Sequence, residues 1–495
     1  MKKFLVVVLV FISVSVFAQN SNYKFSIDLT KVNNDMIKVE LEAPEIKSDK
    51  IIYNMPKMVP GTYKIYDFGQ YAMDFEAYDK KGYALSVNRL DNNRWEIENA
   101  KNLAKITYWV EDTWDAKVDK LVFEPGGTNI EKDENIVLNN HGFFGYFDGM
   151  KTVPYELSVT RPDNFYGATG LSNIKTIGNK DVFYVNNYMD LVDSPIMYNV
   201  PDTTIIKVGG ADILISVYSK NKVVSAKELA KNISTILDAQ KNYLGGKLPI
   251  DKYAFIIYLY SGQSGSGGSG ALEHSYSSFY YLPEMSLDRL SGFLVDVAAH
   301  EFFHIVTPLN IHSEEIGDFD YINPKMSKHL WMYEGVTEYF AGHVQIYEGL
   351  ISKEEYLEVV EGKIKTASYF KDDLPFTEMS LGCLDEHEDQ YGNVYQKGAL
   401  IGLCLDILLR EHSQGKVGMK DMMAMLSNEY GKNVSFKDEE LFDKIASLST
   451  PKIREFFKKY VEGSEALPLE ELLGKVGITY KTNVTVKEIS LGGAA

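Results

Sequence analysis

Cysteine is scarce in this sequence: its 495 residues include two, Cys383 and Cys404. Zinc sites of the ribbon type need pairs of closely spaced cysteines, so that class of site is excluded. Cys404 lies in the apolar run ALIGLCLDILL, where a free thiol behaves as a small hydrophobic side chain. A disulfide between the two residues is permitted in an oxidising compartment, and the sequence leaves that question open.

Positive charge is also in short supply. Lys and Arg together number 51 against 69 Asp and Glu, which gives a formal net charge of -18. A field of this sign repels the phosphates of nucleic acids and the surfaces of anionic lipids. We therefore expect no nucleic-acid partner.

A long apolar run stands at the amino terminus, MKKFLVVVLVFISVSVFAQN, after two lysines and before the small residue Ala18. These features are typical of a secretory signal peptide and predict cleavage after Ala18. The run is shorter than the ~20 residues that a membrane-spanning helix requires. Residues 1–18 are thus predicted to be a signal peptide. The mature protein is predicted to be periplasmic or extracellular, with no stable membrane insertion.

The first large part of the chain, 19–203, shows short segments of alternating polarity separated by turn signals. Examples are YKFSIDL, MIKVELEA, KIIYNM, RWEIENA, AKITYWVED and YELSVTRP. Alternation with a period of two is typical of half-buried strands. This part is predicted to be an antiparallel, β-sandwich-like domain.

The pattern changes in the second part, 204–465, which is predicted to mix strands and helices. ADILISVYS and YAFIIYLY read as strands, and a helix between them begins with a capping box of Ser225 and Glu228 and ends at Gly245. The Gly/Ser-rich stretch SGQSGSGGSG is predicted to be a loop over a cleft, because a buried strand precedes it and a long helical region follows. The predicted fold class is therefore α+β with several domains.

The last segment, 466–495, returns to strand-like alternation and then stops. About thirty residues are too few to bury a core of their own. We interpret this segment as the beginning of a truncated or degenerate domain.

The stretch AAHEFFHIVTP contains two histidines four residues apart, with Glu301 directly after the first. On a helix, His300 and His304 lie on one face and can bind one ion, and Glu301 can serve as a general base. The alternative is a buried structural pair of histidines. That alternative would leave Glu301 buried without a partner, which is costly.

A catalytic zinc ion needs a third protein ligand and an open position. A third histidine six residues further on is excluded, because Asn310 stands there. The helix predicted for KHLWMYEGVTEYFAGHVQIYEG supplies Glu334 as the third ligand, and Glu338, one turn later, can accept the free ring N–H of a ligand histidine. Glu314 and Glu315 are rival ligands on a less rigid segment.

The combination of HEFFH, LWMYEGVTEYF and YQKGAL resembles the gluzincin metallopeptidases. It is similar in particular to the glycyl-aminopeptidase family, because positions 305–333 form a long gap before the third ligand. The stretch MPKMVPGTYKIYDFGQYAMDFEAYD resembles the β domain of that family, and GALEH resembles its substrate-edge motif. Members often carry a PDZ domain, so the resemblance implies that 466–495 is PDZ-like. It also implies that 204–465 is a thermolysin-like catalytic domain.

The resemblance implies one zinc ion and a peptide or protein substrate. Gly270 and Ala271 would lie on an edge strand beside the substrate, and Glu273 would bind its free α-ammonium group. Tyr395 matches the tyrosine that stabilises the oxyanion, and Tyr391 is the alternative. The predicted activity is an exported aminopeptidase that releases Gly or Ala, with the zinc-bound water activated by Glu301.

Two other functions stay open at this stage. One is a zinc endopeptidase with the same centre, in which Glu273 binds no amine. The other is a peptide- or protein-binding module whose metal site is vestigial.

Overall fold

The structure is a computed structural model that describes residues 21–118 and 121–482. The predicted signal peptide, 1–18, lies outside the described residues. The same holds for the end of the chain after residue 482. In the part of the chain that the structure describes, no helix combines the length and the apolar character needed to cross a membrane.

Strands dominate the described residues up to about 200. They are β1 Tyr23–Asp28, β2 Met36–Glu42, β3 Lys50–Asn54, β4 Ala72–Asp79, β5 Val87–Arg89, β6 Arg94–Glu98, β7 Leu103–Glu111, β8 Asn129–Glu131, β9 Asn135–Leu138, β10 Tyr146–Phe147, β11 Tyr155–Thr160, β12 Tyr166–Thr169, β13 Ile174–Ile177, β14 Lys180–Val185 and β15 Ile196–Asn199. The six segments that the alternation singled out are all strands, which confirms that part of the prediction.

These strands form three sheets. A seven-stranded sheet has the order β13-β14-β11-β1-β2-β7-β4, and two four-stranded sheets have the orders β10-β3-β6-β5 and β12-β15-β9-β8. The described pairs are antiparallel, as predicted, with one exception: β1 and β11 run parallel. In β2, Ile37, Val39 and Leu41 point into the core while their neighbours do not, because side chains alternate across a strand.

A fourth, mixed sheet belongs to the second part of the chain. Its strands are β16 Thr203–Val208, β17 Ala211–Ser219, β18 Lys252–Tyr260, β19 Gly270–His274 and β20 Ser277–Pro283, in the order β16-β17-β18-β20-β19. β17, β18 and β20 are parallel to one another, while β16 and β19 are antiparallel to their neighbours. β19 is therefore an edge strand, as expected for GALEH.

Helices fill most of the remainder. They are α1 Asn140–Phe143, α2 Tyr188–Val192, α3 Ala226–Tyr243, α4 Leu287–Phe303, α5 Glu314–Gly317, α6 Thr337–Tyr347, α7 Lys353–Ala367, α8 Phe376–Leu381, α9 Lys397–Ser413, α10 Met419–Ser427, α11 Leu441–Leu448, α12 Pro451–Tyr460 and α13 Leu469–Lys475. The capping box of Ser225 and Glu228 at the start of α3 is confirmed. The α+β fold class is confirmed as well.

The two helices that carry the predicted ligands each depart from regular α-helical geometry at one end. α4 ends at Phe303, five residues before Pro308, because the next backbone N–H groups bond to carbonyls three residues back. The second ligand helix is not uniform. Its first six residues, Trp331–Val336, form a π-helical turn that leads into α6.

α4 is held between the mixed sheet and the helical part. It packs against α3, α6 and β19, and Phe302 and Phe303 are fully buried. Gln240 on α3 donates a hydrogen bond of 2.9 Å from Nε2 to the carbonyl oxygen of Ala299. The carboxyl-terminal turn of α4 is thereby fixed from several sides. Elsewhere in the core, Cys383 and Cys404 are buried free thiols.

The strand-like reading of the tail is wrong for Leu469–Lys475, which is helix α13. Leu472 and Leu473 are buried and α13 packs on α9. These two adjacent leucines, one turn after Pro468, form the apolar face of the helix. In so short a stretch, the sequence pattern of such a face cannot be distinguished from the alternation of a strand. The PDZ-like interpretation of 466–495 stays a prediction, because residues 483–495 lie outside the described residues.

Leu473→Ala tests whether α13 contributes to the stability of the helical part. Removing a buried leucine side chain is expected to cost about 2–5 kcal/mol, so the midpoint of thermal unfolding should fall by several degrees. The matched control is Val476→Ala, because Val476 is 53% exposed. Equal melting temperatures for both variants would contradict the packing of α13.

Candidate active site

The carboxyl-terminal end of α4 presents two histidine side chains to the same point. Nε2 of His300 lies 3.1 Å from Nε2 of His304. Both residues are buried, and the two rings stand nearly perpendicular, with centroids 4.7 Å apart. Two imidazoles that turn the same nitrogen to one point form one side of a metal site.

Glu334 approaches this point from the π-helical turn. Its Oε2 lies 3.3 Å from Nε2 of His300 and 3.7 Å from Nε2 of His304. Ligand atoms of the three residues lie within 4.8 Å of one another, and the rivals Glu314 and Glu315 on α5 are not in this group. A set of two imidazoles and one carboxylate fits a catalytic zinc ion with an open position.

The backbone behind Glu334 explains its placement. A Cβ atom on Gly335 would lie 2.5–2.7 Å from the backbone of Gly398, so α9 approaches the π-helical turn more closely than any side chain would permit. π-Helical turns inside helices are common at functional sites. Here the turn carries Glu334, whose Oε2 faces the histidines.

The other ring nitrogens of the histidines are fixed by hydrogen bonds. Nδ1 of His300 lies 2.7 Å from Oε2 of Glu338, and Nδ1 of His304 lies 3.1 Å from the carbonyl oxygen of Thr307. Lys363 in turn donates to Oε1 of Glu338 at 2.6 Å. Burial alone would raise the pKa of Glu338, but the hydrogen bond from His300 and the charge of Lys363 lower it to about 2. An ionised Glu338 keeps the proton of His300 on Nδ1 and leaves Nε2 free to bind a metal.

Glu301 lies beside the histidines and is not among the three converging ligands. It is 6% exposed, and its Oε2 is buried without a hydrogen-bond partner among the described residues. Burial raises the pKa of Glu301 to about 8, although the neighbouring His300 opposes the shift. A buried carboxylate with an unpartnered oxygen and a raised pKa is suited to accept and return a proton.

Glu273 lies on β19, beside Glu301 and His304. Oxygen or nitrogen atoms of Glu273, Glu301 and His304 form a second group within 4.8 Å of one another. Burial raises the pKa of Glu273 well above its ordinary value, and the charges of Glu334 and Glu301 add to the shift. A positively charged group of a ligand would relieve this repulsion.

Gly61 of the amino-terminal β domain packs against Glu273. A Cβ atom on Gly61 would lie 2.8 Å from both carboxylate oxygens of Glu273, and the φ angle of Gly61 is +85°. Glycine is required here both by the left-handed backbone and by the close approach. The β domain thus forms one wall beside Glu273.

A cleft of about 790 Å³ connects these groups. Its walls include the metal ligands, Gly270, Ala271 and Glu273, and it has room for a short peptide. Tyr391 and Tyr395 also line it, and their hydroxyls are 2.7 Å apart. The ring of Tyr395 lies 5.6 Å from that of His300, so Tyr395 is the tyrosine of this pair that lies beside the histidines.

Two residues of the site were missed by the sequence analysis. The hydroxyl of Tyr63 donates to Oε1 of Glu334 at 2.7 Å, and Lys363 binds Glu338. Tyr63 lies in the stretch MPKMVPGTYKIYDFG, which resembles the β domain of the family. No local sequence pattern connects Tyr63 with Glu334, 271 positions further along the chain. Lys363 lies on α7, and no motif in the sequence marks it as a partner of Glu338.

Histidines outside the motif make structural contacts. His141, His312 and His329 each have a ring nitrogen within 2.8 Å of a backbone carbonyl oxygen, and Nδ1 of His343 lies 2.8 Å from the hydroxyl of Tyr243. None of these four belongs to a group of possible metal ligands within the described residues.

The arrangement of side chains in the cleft is typical of a metal-dependent hydrolase. Comparison with protein families narrows this class. Residues 24–199 match the model of the Peptidase M61 N-terminal domain, and residues 293–401 match the model of M61 glycyl aminopeptidase. The chain belongs to the M61 glycyl aminopeptidase family and is a peptidase.

Solved structures show the same fold. An aminopeptidase N family protein from Idiomarina loihiensis matches with a TM-score of 0.82 and 23% identity, over 96% of this chain and 81% of that one. An M1 zinc metallopeptidase mutant from Deinococcus radiodurans, bound to a Tyr-Ser-Ala substrate, matches at 0.56 with 11% identity, over 91% and 95%. Leukotriene A4 hydrolase from Saccharomyces cerevisiae matches at 0.56 with 13% identity, over 90% and 68%. A search of curated proteins found no match.

Gly61→Ala tests the contact between the β domain and Glu273. The new methyl group must displace the carboxylate of Glu273, so kcat/KM for peptide hydrolysis is expected to fall by ~10- to 100-fold. Gly82→Ala is the matched control, because Gly82 has a φ of +83° and nothing within 4 Å of its Cβ position. Both variants carry the same backbone strain. Equal activity of the two would show that this contact does not matter.

Proposed function

We propose that the protein is an exported zinc aminopeptidase that removes small residues, glycine or alanine, from the amino termini of peptides. The observation that carries the proposal is the position of Glu273. Its carboxylate lies in one group with Glu301 and His304, at the edge of the cleft. A substrate whose α-ammonium binds Glu273 has its first peptide bond beside Glu301.

His300, His304 and Glu334 would hold the ion. When bound, zinc supplies a Lewis acid that polarises a carbonyl group and lowers the pKa of water. The fit rests on the three converging donor atoms and on the two histidine Nδ1 atoms, which are engaged elsewhere and leave both Nε2 atoms for the metal.

The residues of the chain perform the remaining steps. Glu301 takes a proton from the attacking water through its unpartnered oxygen and delivers it to the leaving amine. Tyr395 donates its hydroxyl hydrogen to the oxyanion that develops on the scissile carbonyl, and Tyr391 donates in turn to the hydroxyl oxygen of Tyr395. Gly270 and Ala271 offer the free side of an edge strand to the substrate backbone.

The proposed substrate and the proposed location of the protein are supported by the family and by the sequence. The family description names glycine as the residue released, which favours a small first side chain. The signal-peptide pattern of residues 1–18 favours export, and the net charge of -18 makes nucleic acid an unfavourable partner.

Glu301→Gln is expected to remove the general base and leave the metal ligands in place. Hydrolysis of a glycyl anilide should slow by about 10²- to 10⁴-fold, while the protein keeps one zinc ion per chain by elemental analysis. Chelation of the wild-type protein should abolish activity, and added zinc should restore it. The control is Glu314→Gln, because Glu314 is exposed on α5. Full activity of Glu301→Gln would contradict this hydrolytic mechanism.

Acetylation of the substrate separates an aminopeptidase from an endopeptidase. Glycyl and alanyl anilides are compared with their N-acetyl forms and with a leucyl anilide. Loss of the charge-assisted hydrogen bond to Glu273 should lower kcat/KM for the acetylated forms by ~10- to 100-fold. Glu273→Gln should reduce this difference by raising KM for the free amines. An enzyme that cleaves free and acetylated substrates equally is an endopeptidase.

A further inference from the structure

The carboxylate of Glu334 is held on both of its oxygens. Oε2 faces the two histidines, while Oε1 accepts the hydrogen bond of 2.7 Å from the hydroxyl of Tyr63. Glu334 is 2% exposed and Tyr63 is 8% exposed, so water does not compete for this bond. A residue of the amino-terminal β domain thus contacts a predicted metal ligand of the other domain directly.

Tyr63 is itself fixed in place. Its φ angle is +44°, a left-handed conformation that bulky residues adopt only where the surrounding structure imposes it. Its ring packs against that of Tyr391, with centroids 4.9 Å apart, and the hydroxyl of Tyr391 binds that of Tyr395. The next residue, Lys64, forms an ion pair of 3.0 Å with Glu388 at the start of the segment that carries Tyr391.

The hydrogen bond has a consequence for metal binding. A carboxylate with two free oxygens can rotate or bind an ion through either or both of them. Because Tyr63 occupies Oε1, Glu334 is left with one oxygen toward the histidines and with fewer orientations to lose when an ion binds. Outer hydrogen bonds of this kind orient ligands and raise affinity for the metal.

We propose that Tyr63 is a positioning residue of the metal centre. Its hydroxyl fixes the orientation of Glu334, so that the β domain is required for full metal affinity as well as for the shape of the cleft. This inference rests on the proposed zinc site, and its test uses metal binding, separately from peptide hydrolysis.

The test compares Tyr63→Phe with the full-length wild-type protein. The variant keeps the ring, its packing on Tyr391 and the backbone, and removes one hydroxyl. The zinc dissociation constant, measured by competition with a chromogenic chelator, is expected to rise by about 10- to 100-fold. The matched control is Tyr71→Phe, because Tyr71 is a buried tyrosine of the same domain whose hydroxyl has no hydrogen-bond partner among the described residues. Thermal unfolding of the metal-free proteins is measured alongside.

The outcomes separate the inference from the function on which it rests. Weaker zinc binding in Tyr63→Phe alone, with metal-free melting temperatures like those of the wild type, supports the positioning role. Unchanged zinc affinity in Tyr63→Phe overturns it, and so does an equal loss in both variants, which would reflect general destabilisation. If the wild-type protein bound no zinc, the proposed function itself would fail.

Discussion

Buried negative charge is the constraint around which the active site is built. Glu273, Glu301 and Glu334 are each 8% exposed or less and lie close to the same two histidines. Burial raises the pKa of Glu273 and of Glu301, and the charge of Glu334 adds to both shifts. Burial also acts on Glu334, but the charges of His304 and His300 and the hydrogen bonds from His300 and Tyr63 lower its pKa. A divalent cation is the partner that such a group of acids requires, because opposite charge favours their ionised forms.

The same constraint gives the amino-terminal β domain a part in the site. Its residues 61–63 touch both ends of the acidic group: Gly61 makes room for the carboxylate of Glu273, and Tyr63 binds the outer oxygen of Glu334. Without residues 61–63, Glu273 would lose its contact with Gly61, and Glu334 would lose the hydrogen bond from Tyr63. The two family models that match the chain therefore describe parts that share one cleft.

The features that depend on local spacing could be predicted from the sequence. A separation of four residues on a helix is enough to pair His300 with His304, and alternation is enough to find strands such as β2. Features set by tertiary packing could not be predicted in this way. The hydrogen bond from Tyr63 joins residues 271 positions apart, and the π-helical turn that carries Glu334 is in close contact with α9 at Gly335 and Gly398. Neither leaves a periodic trace in the chain.

Residues 305–333, the long excursion between His304 and Glu334, have a structure that their sequence does not predict. Its length alone suggests a loose connection, but two hydrogen bonds from within it anchor it to the surrounding structure. The backbone N–H of Lys57 in the β domain donates to the carbonyl oxygen of Tyr321, and Tyr321 is buried in the core. Near its start, the N–H of Ser313 donates to the hydroxyl of Tyr333, the residue just before Glu334. The excursion is thus a folded segment that contacts both the β domain and the residue before Glu334. It restrains the backbone next to Glu334 through Tyr333, while Tyr63 restrains the carboxylate of Glu334 directly.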